Sequence, residues 1–330
     1  MRDANGGKNV FLMTATPTKN SPLEVFSMLS HIAPEEFTKR GIRNSEEFID
    51  RFCEFTNGMA LDVEGNVEEG LLTSGFKNLD ELRTLMRKYI DRTTAEDVGL
   101  KLPKPDKQEH LIEMTGQQKA VYEDLRKQAE LGETEGGEEA HIFSVMDKMG
   151  KASMDLELLG YEGAESPKYD EVVANVKKHS EEGGQIVFCE SVQSHEKLRK
   201  RMIDAGMKPE EIAIINGDVA KSSLDRQRIS DAFNAGKVKV VIGNKTMEEG
   251  VNLQKKTSDI HHMDTPWEPA TLQQRNGRGR RQRNPRDAIR IPTYPAKGHA
   301  AGPRSQTVAP NKAGQDHPGK GEAQPARPRA

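Results

Sequence analysis

The stretch QIVFCESVQSHEKLRKRMIDAGMKPEEIAIINGDVAKSSLDRQRISDAFNAGKVKVVIG, residues 185–243, decides the fold. It holds three short apolar runs, QIVFCE, IAIING and VKVVIG, separated by HEKLRKRMIDAG and LDRQRISDAFNAG, which have helical spacing and end on glycine. Strands that are apolar without alternation suit a sheet covered on both faces, because each side of such a strand meets a helix rather than water. Their regular exchange with helices predicts a parallel α/β sheet. The pattern continues outward, with a helix expected over about Pro167 to Ser180 and a strand in DIHHMD, 259–264.

Working toward the N-terminus, LPKPDKQEHLIEMT (102–115) is a Pro-bounded entry into a strand, followed by a helix over 117–131. The acidic, Gly-rich run GETEGGEE (132–139) predicts a surface loop. SEEFIDRFCEF (45–55) and LDELRTLMRKYI (79–90) predict helices separated by a polar, Gly-bearing segment over 57–75. Near the start, an apolar run over 9–13 stops at TATPT, and SPLEVFSMLSHI (21–32) predicts a helix begun by Ser21 and Pro22. Past Ile291 the periodicity fades into Pro, Gly, Ala and Lys, and residues 296–330 are expected to be a disordered basic tail.

Composition narrows the function classes. The chain has 330 residues, 34% of them hydrophobic, enough for a sizeable core. No window nears the roughly eighteen consecutive apolar residues of a membrane span, so no membrane partner and a cytoplasmic location are expected. Cys53 and Cys189 lack CxxC spacing, which argues against zinc and a disulfide framework. The net charge of −3 conceals a basic end: from Thr271 onward 13 Lys and Arg face only 3 acidic residues, a candidate polyanion contact.

The chemistry concentrates in LQQRNGRGRRQRN (272–284), where Gln274, Gly277, Arg278 and Arg281 fit QxxGRxxR. The pair is expected to be carried on a helix, one turn apart, and a spacing of three puts both guanidiniums on one face. Planar, permanently charged forks are what the spread charge of a transferring phosphoryl group requires. Ahead of it come a turn bearing Gly250 and Asn252 and a strand end with Asp264, Trp267 and Pro269. His261 and His262 in that strand are expected to be a satisfied or exposed pair rather than metal ligands. Met146, Met149 and Met154 are expected to form a core stripe on one side of a helix, and Trp267 to pack in a core.

In order, Gly250-Val251-Asn252-Leu253, Asp264-x-x-Trp267-x-Pro269 and Gln274-x-x-x-Arg278-x-x-Arg281 resemble the motifs of the Swi/Snf-type, superfamily-two ATPases. QIVFCESVQSHEKL and TATPTKNSPLEVFSML are similar to segments of the same family, and the wording is similar to helicase domains of large phage- and plasmid-borne methylase-helicase proteins. The resemblance spans about Asn9 to Tyr294. It implies a RecA-like parallel sheet with helices on both faces, the second helicase lobe, over 166–295. Before it would lie a mostly helical bridging region, 34–165, and the last strand and helix of a first RecA-like lobe, 1–33.

The resemblance implies more about the site. Arg278 and Arg281 would be arginine fingers positioned by Gln274, with Gly250, Asn252, Thr14, Thr16 and Pro17 coupling nucleotide to DNA. Ser191, Asn244, Thr246 and Arg275 would contact the DNA backbone. Cofactors would be ATP and Mg²⁺, and partners double-stranded DNA, a first lobe upstream or in trans, and a fused methylase. No GxxxxGK[ST] loop occurs in the 330 residues, so the isolated chain is expected to be one half of an ATP hydrolase, or an inert nucleic-acid-binding module or truncated fragment. Thr246-Met247-Glu248 stands where the family has Ala-Gly-Gly, Gly243-Asn244 where it has Ser-Thr, and Arg283 where it has Gly. The replacement of that Gly is expected to alter the turn just after the second finger. The loss of pattern past about Tyr294 is expected to mark a truncation or a shifted reading frame.

Overall fold

The computed structural model describes residues 10–13, 23–61, 67–91, 93–95, 97–131, 142–247, 251–266 and 269–298. The expected loop at 132–139, Thr14, Thr16, Pro17, Gly250, Trp267 and the tail beyond 298 lie outside them.

Three short helices come first, α1 (Leu23–Ile32), α2 (Pro34–Lys39) and α3 (Ser45–Phe52), and α4 (Leu79–Tyr89) follows a hairpin. Asn44 caps α3 by accepting from the Glu47 amide at 2.9 Å. Their apolar faces close on Leu29, Phe37, Phe48, Phe52 and Leu85, with the Phe26 ring tilted against those of Phe37 and Phe48. The polar segment expected between α3 and α4 is instead an antiparallel pair, β1 (Cys53–Leu61) and β2 (Val67–Phe76). Glycines and acidic residues mask the strand pattern there, and cross-strand pairing supplies what local apolar alternation does not.

The larger body follows the predicted α/β order. β3 (Lys104–Glu109) leads to α5 (Gly116–Leu131), α6 (Ile142–Met154) and α7 (Pro167–Lys178). Then come β4 (Gly184–Phe188), α8 (Gln193–Asp204), β5 (Ile212–Ile215), α9 (Ser223–Asn234), β6 (Val240–Gly243), β7 (Thr257–His262), α10 (Pro269–Asn276) and β8 (Ala288–Thr293). The strands form one sheet in the order β3-β8-β7-β4-β6-β5, and every neighbouring pair is parallel. A capping box between Ser222 and Asp225 starts α9.

Side chains alternate across the sheet, as the two-residue period of a strand dictates. Val187, Ile214, Val240 and Ile242 pack with Val172 and Val176 of α7 and Leu198 and Met202 of α8. Ile186, Phe188, Ile215, Val241 and Ile260 pack with Phe233 of α9 and with Met247 and Leu253. This is the RecA-like layout the resemblance implies. Cys53 and Cys189 are both buried. Of the expected methionine stripe, Met154 joins the sheet's core while Met149 packs between α5 and α6.

The edge of the sheet ties the linker down. β3 pairs with β8 from Lys104 opposite Ala288 to Glu109 opposite Thr293, and Arg280 Nε donates to the Pro103 carbonyl at 3.0 Å. Residues 296–298, which fall within the expected tail, are placed against the sheet's edge. Ala296 bridges to Ile112 and is buried, and Lys297 pairs with Glu113 at 2.5 Å. Those pairings come from residues far upstream, which the local composition of 296–298 does not report.

Candidate functional site

The segment carrying Arg278 and Arg281 is a turn and not a helix. α10 ends at Asn276, and the arginines sit in successive turns in which the Arg278 amide donates to the Arg275 carbonyl at 3.0 Å. Gly279 explains the break, since a Cβ there would lie 2.6 Å from Thr257 Cγ2 and 3.0 Å from Ile260 Cδ1. The turn packs directly on β7, and only a glycine permits it. The two guanidiniums still converge, on consecutive residues. Arg278, 7% exposed, donates to the Val251 carbonyl at 2.9 Å, and Arg281 donates to Asn252 Oδ1 at 3.0 Å. The Asn252 carbonyl in turn accepts from Ser230 Oγ at 2.5 Å and Asn234 Nδ2 at 2.6 Å, both on α9. Gln274 is half-buried on the last turn of α10.

Arg283, which stands where the family has glycine, has a φ of +73°, in the left-handed region that strains a residue with a side chain.

Ser191, Asn244, Thr246 and Arg275 cluster at the carboxyl ends of β4, β6 and β7. A cavity of about 1100 Å³ opens there, and Ser191, Lys245, Lys168, Lys151 and Arg275 help line it. Asn244 is buried and its Oδ1 accepts from the Thr246 amide at 3.1 Å, which fixes the turn that presents Lys245. Arg275 departs from expectation. Its side chain is 1% exposed, lies over the Phe188 ring at 5.0 Å, and pairs with Glu190 and, at 3.3 Å, with Asp264. Burial pulls its pKa down to about 10, so it stays charged at neutral pH. Its charge joins the segments that follow β4 and β7 to α10. Sequence reasoning missed Glu190, whose one signal is a carboxylate directly after the buried run IVFC.

The histidine pair is satisfied rather than exposed. The Gln185 amide donates to the Val176 carbonyl at 2.7 Å, which leaves its oxygen to accept from His261 Nε2 at 2.8 Å. His261 Nδ1 therefore accepts from the Tyr294 hydroxyl at 2.7 Å, and the Tyr294 oxygen accepts from Asn175 Nδ2 at 3.0 Å. Asn175 also donates to His110 Nε2 at 3.1 Å, so His110 Nδ1 donates to Glu171 at 3.0 Å. One set of proton positions satisfies the whole chain of contacts. His262 Nε2 meets Asn276 Oδ1 at 2.9 Å, holding the end of α10. Burial lowers the pKa of His261 to about 3 and that of His262 to about 4. Among the described residues no cluster of His, Cys, Asp and Glu is arranged to hold a metal, and no helix is long and apolar enough to cross a membrane.

Comparison with known proteins agrees with this layout. Residues 4–158 match the SNF2-related domain and residues 167–283 the helicase conserved C-terminal domain. The Defense against restriction protein B of Escherichia phage P1 is 25% identical over 437 aligned positions, covering 89% of this chain and 19% of that protein. Helicase domino of Drosophila melanogaster is 28% identical over 145 positions, covering 42% of this chain and 4% of that one. The chain thus spans about a fifth, or less, of these relatives. The SWI2/SNF2 ATPase core of Sulfolobus solfataricus in complex with dsDNA superposes with a TM-score of 0.45 at 18% identity, covering 86% of this chain and 56% of that one.

Proposed function

We propose, from the premise that this chain belongs to the Snf2-type helicases, that it supplies the second RecA-like lobe of an ATP-driven translocase on double-stranded DNA. The observation that carries the reading is the convergence of Arg278 and Arg281 on Val251 and Asn252. Two guanidiniums drawn to consecutive residues of one loop supply the planar, permanently charged forks that the spread charge of a phosphate requires. In the working enzyme both reach the γ-phosphate of ATP on a first lobe, Gln274 positions them, and Gly250 lets the loop approach closely. ATP and Mg²⁺ are held mainly by that lobe, because no phosphate-cradling GxxxxGK[ST] loop lies in these residues. Asn252, bonded both to the finger turn and to α9, passes nucleotide state toward the DNA side, and Thr14, Thr16 and Pro17 do the same from the first lobe.

Double-stranded DNA runs over the carboxyl ends of the strands, where Ser191, Asn244 and Thr246 meet its backbone without reading bases. The first lobe comes from upstream protein or in trans, a methylase is fused to it, and the work is cytoplasmic. DNA-stimulated ATP hydrolysis tests this. It is expected to be absent for the chain alone, to arise with an added first-lobe fragment, and to fall by about 10³ in Arg281→Ala. Hydrolysis by the chain alone, or a mixture indifferent to Arg281→Ala, would refute it. The missing phosphate loop favours a second reading for the chain by itself, an inert nucleic-acid-binding module, marked by DNA affinity that drops steeply with salt and ignores sequence.

A further inference from the structure

We infer that His262 is a positioning residue: through its bond to Asn276 it fixes where the end of α10 sits on β7, and so the point from which Arg278 and Arg281 are presented. The inference rests on the reading of those arginines given above and adds to it the buried group that sets their place.

The turn after α10 is laid along β7 and meets it at three places. Gly279 packs on Thr257 and Ile260 in the middle, and Asn284 Nδ2 closes the turn by donating to the Thr257 carbonyl at 3.0 Å. The first place is His262 with Asn276, the last residue of the helix, at 2.9 Å. It is the only one of the three made between two side chains, and it precedes both arginines in the chain. The Asn276 carbonyl also accepts from the Arg280 amide at 3.0 Å, so the residue that His262 holds is itself a support of the turn.

His262 is built for that single contact. It is buried, and its ring lies 9° from the plane of the Phe188 ring with centroids 5.7 Å apart, so it cannot turn without leaving the stack. Burial keeps it neutral, with a pKa near 4. Its Nδ1 makes no hydrogen bond among the described residues, which puts the one ring N–H on Nε2, facing the Asn276 oxygen. A neutral ring with a fixed plane and one hydrogen makes a bond in one direction only. The same Phe188 ring lies 5.0 Å from the Arg275 guanidinium, so two consecutive residues at the end of α10 are referred to one aromatic support, Arg275 directly and Asn276 through His262. Arg278 comes two residues later, and it and Arg281 reach Val251 and Asn252 at 2.9 and 3.0 Å. A slip of about 1 Å at the helix end exceeds what such contacts tolerate, and displacements of that size at a reacting group are costly in rate.

Hydrogen exchange of the full chain, read by mass spectrometry, tests the clamp without nucleotide or DNA. His262→Phe keeps a ring on Phe188 and removes the N–H. It is expected to speed exchange of the 277–284 amides at least about tenfold while the strands at 185–188 and 240–243 keep their protection. His262→Gln, whose amide can still donate to Asn276, is expected to restore it. Unchanged exchange at 277–284, or a rise shared equally by those strands, overturns the clamp. The second measurement is DNA-stimulated ATP hydrolysis with an added first-lobe fragment, where His262→Phe is expected to lower kcat at least about tenfold with KM for ATP within about twofold, and His262→Gln to regain it. A kcat equal to that of wild type overturns the positioning role and leaves the reading of the arginines standing. A wild-type mixture that does not hydrolyse ATP overturns that reading, and exchange alone then decides His262. If His262→Phe fails to fold by circular dichroism, Asn276→Ala, which removes the same bond from a half-buried position, carries the same expectations.

Discussion

Acidification should loosen this protein through two imidazoles. His261 and His262 are buried in β7 with pKa values near 3 and 4, against an ordinary 6.5, because burial disfavours the charged ring. Between pH 6.5 and about 4 the unfolded chain takes up a proton at each position and the native chain takes up none. Stability is therefore fully present above pH 6.5 and declines as the pH falls, by about 1.4 kcal/mol per pH unit for each group. At pH 5.0 the loss is roughly 2 kcal/mol per histidine and about 4 kcal/mol for the pair. Domains hold only about 5–15 kcal/mol in total, so a loss of that size is large. His195, whose pKa burial also lowers, adds in the same direction. Urea unfolding followed by circular dichroism at pH 7.5, 6.5, 5.75 and 5.0 (steps of about one unit or less, matched to the titration window) measures it. A midpoint that stays constant from pH 6.5 to 5.0 would show that the pair titrates normally and that the hydrogen-bonded arrangement around His261 is wrong. His261→Gln should remove about half of the pH slope.

Two further substitutions probe the same region. Tyr294→Phe removes the hydroxyl that joins His261 to Asn175 and leaves buried polar groups unmatched, so a loss of about 1–3 kcal/mol is expected in the same unfolding assay. Arg283→Gly should raise the melting temperature, because glycine relieves a left-handed backbone that costs other residues about 1–2 kcal/mol, offset in part by its freer unfolded chain.

Much of the α/β body was legible in the sequence because each of its strands announces itself locally. The runs IVFC, IAII and VVIG are short, apolar on both faces and bracketed by glycine or charge, and β4, β5 and β6 fall on them. The hairpin at 53–76 was not legible, since Gly58, Gly70 and the acids Glu68 and Glu69 erase the two-residue alternation and the pairing itself makes the strands. At Arg278 and Arg281 the expected helix gives way to a turn. Spacing of three suits a helix, but the helix yields to Gly279, whose contact with Thr257 is set by the tertiary fold. The same holds for Arg275: its partners Glu190 and Asp264 lie 85 and 11 residues away, and nothing in QQRNGR reports them. At Arg283 the sequence shows the loss of a glycine, and only the backbone shows the left-handed φ that Arg283 adopts there.

The linker strand β3 carries a mechanical consequence. It is hydrogen-bonded along its length to β8, and the carbonyl of Pro103 just before it is held by Arg280 of the turn after α10. Residues 104–112 therefore travel with the sheet, and a pull on the chain at Pro103 is passed directly to the backbone carbonyl that this turn holds.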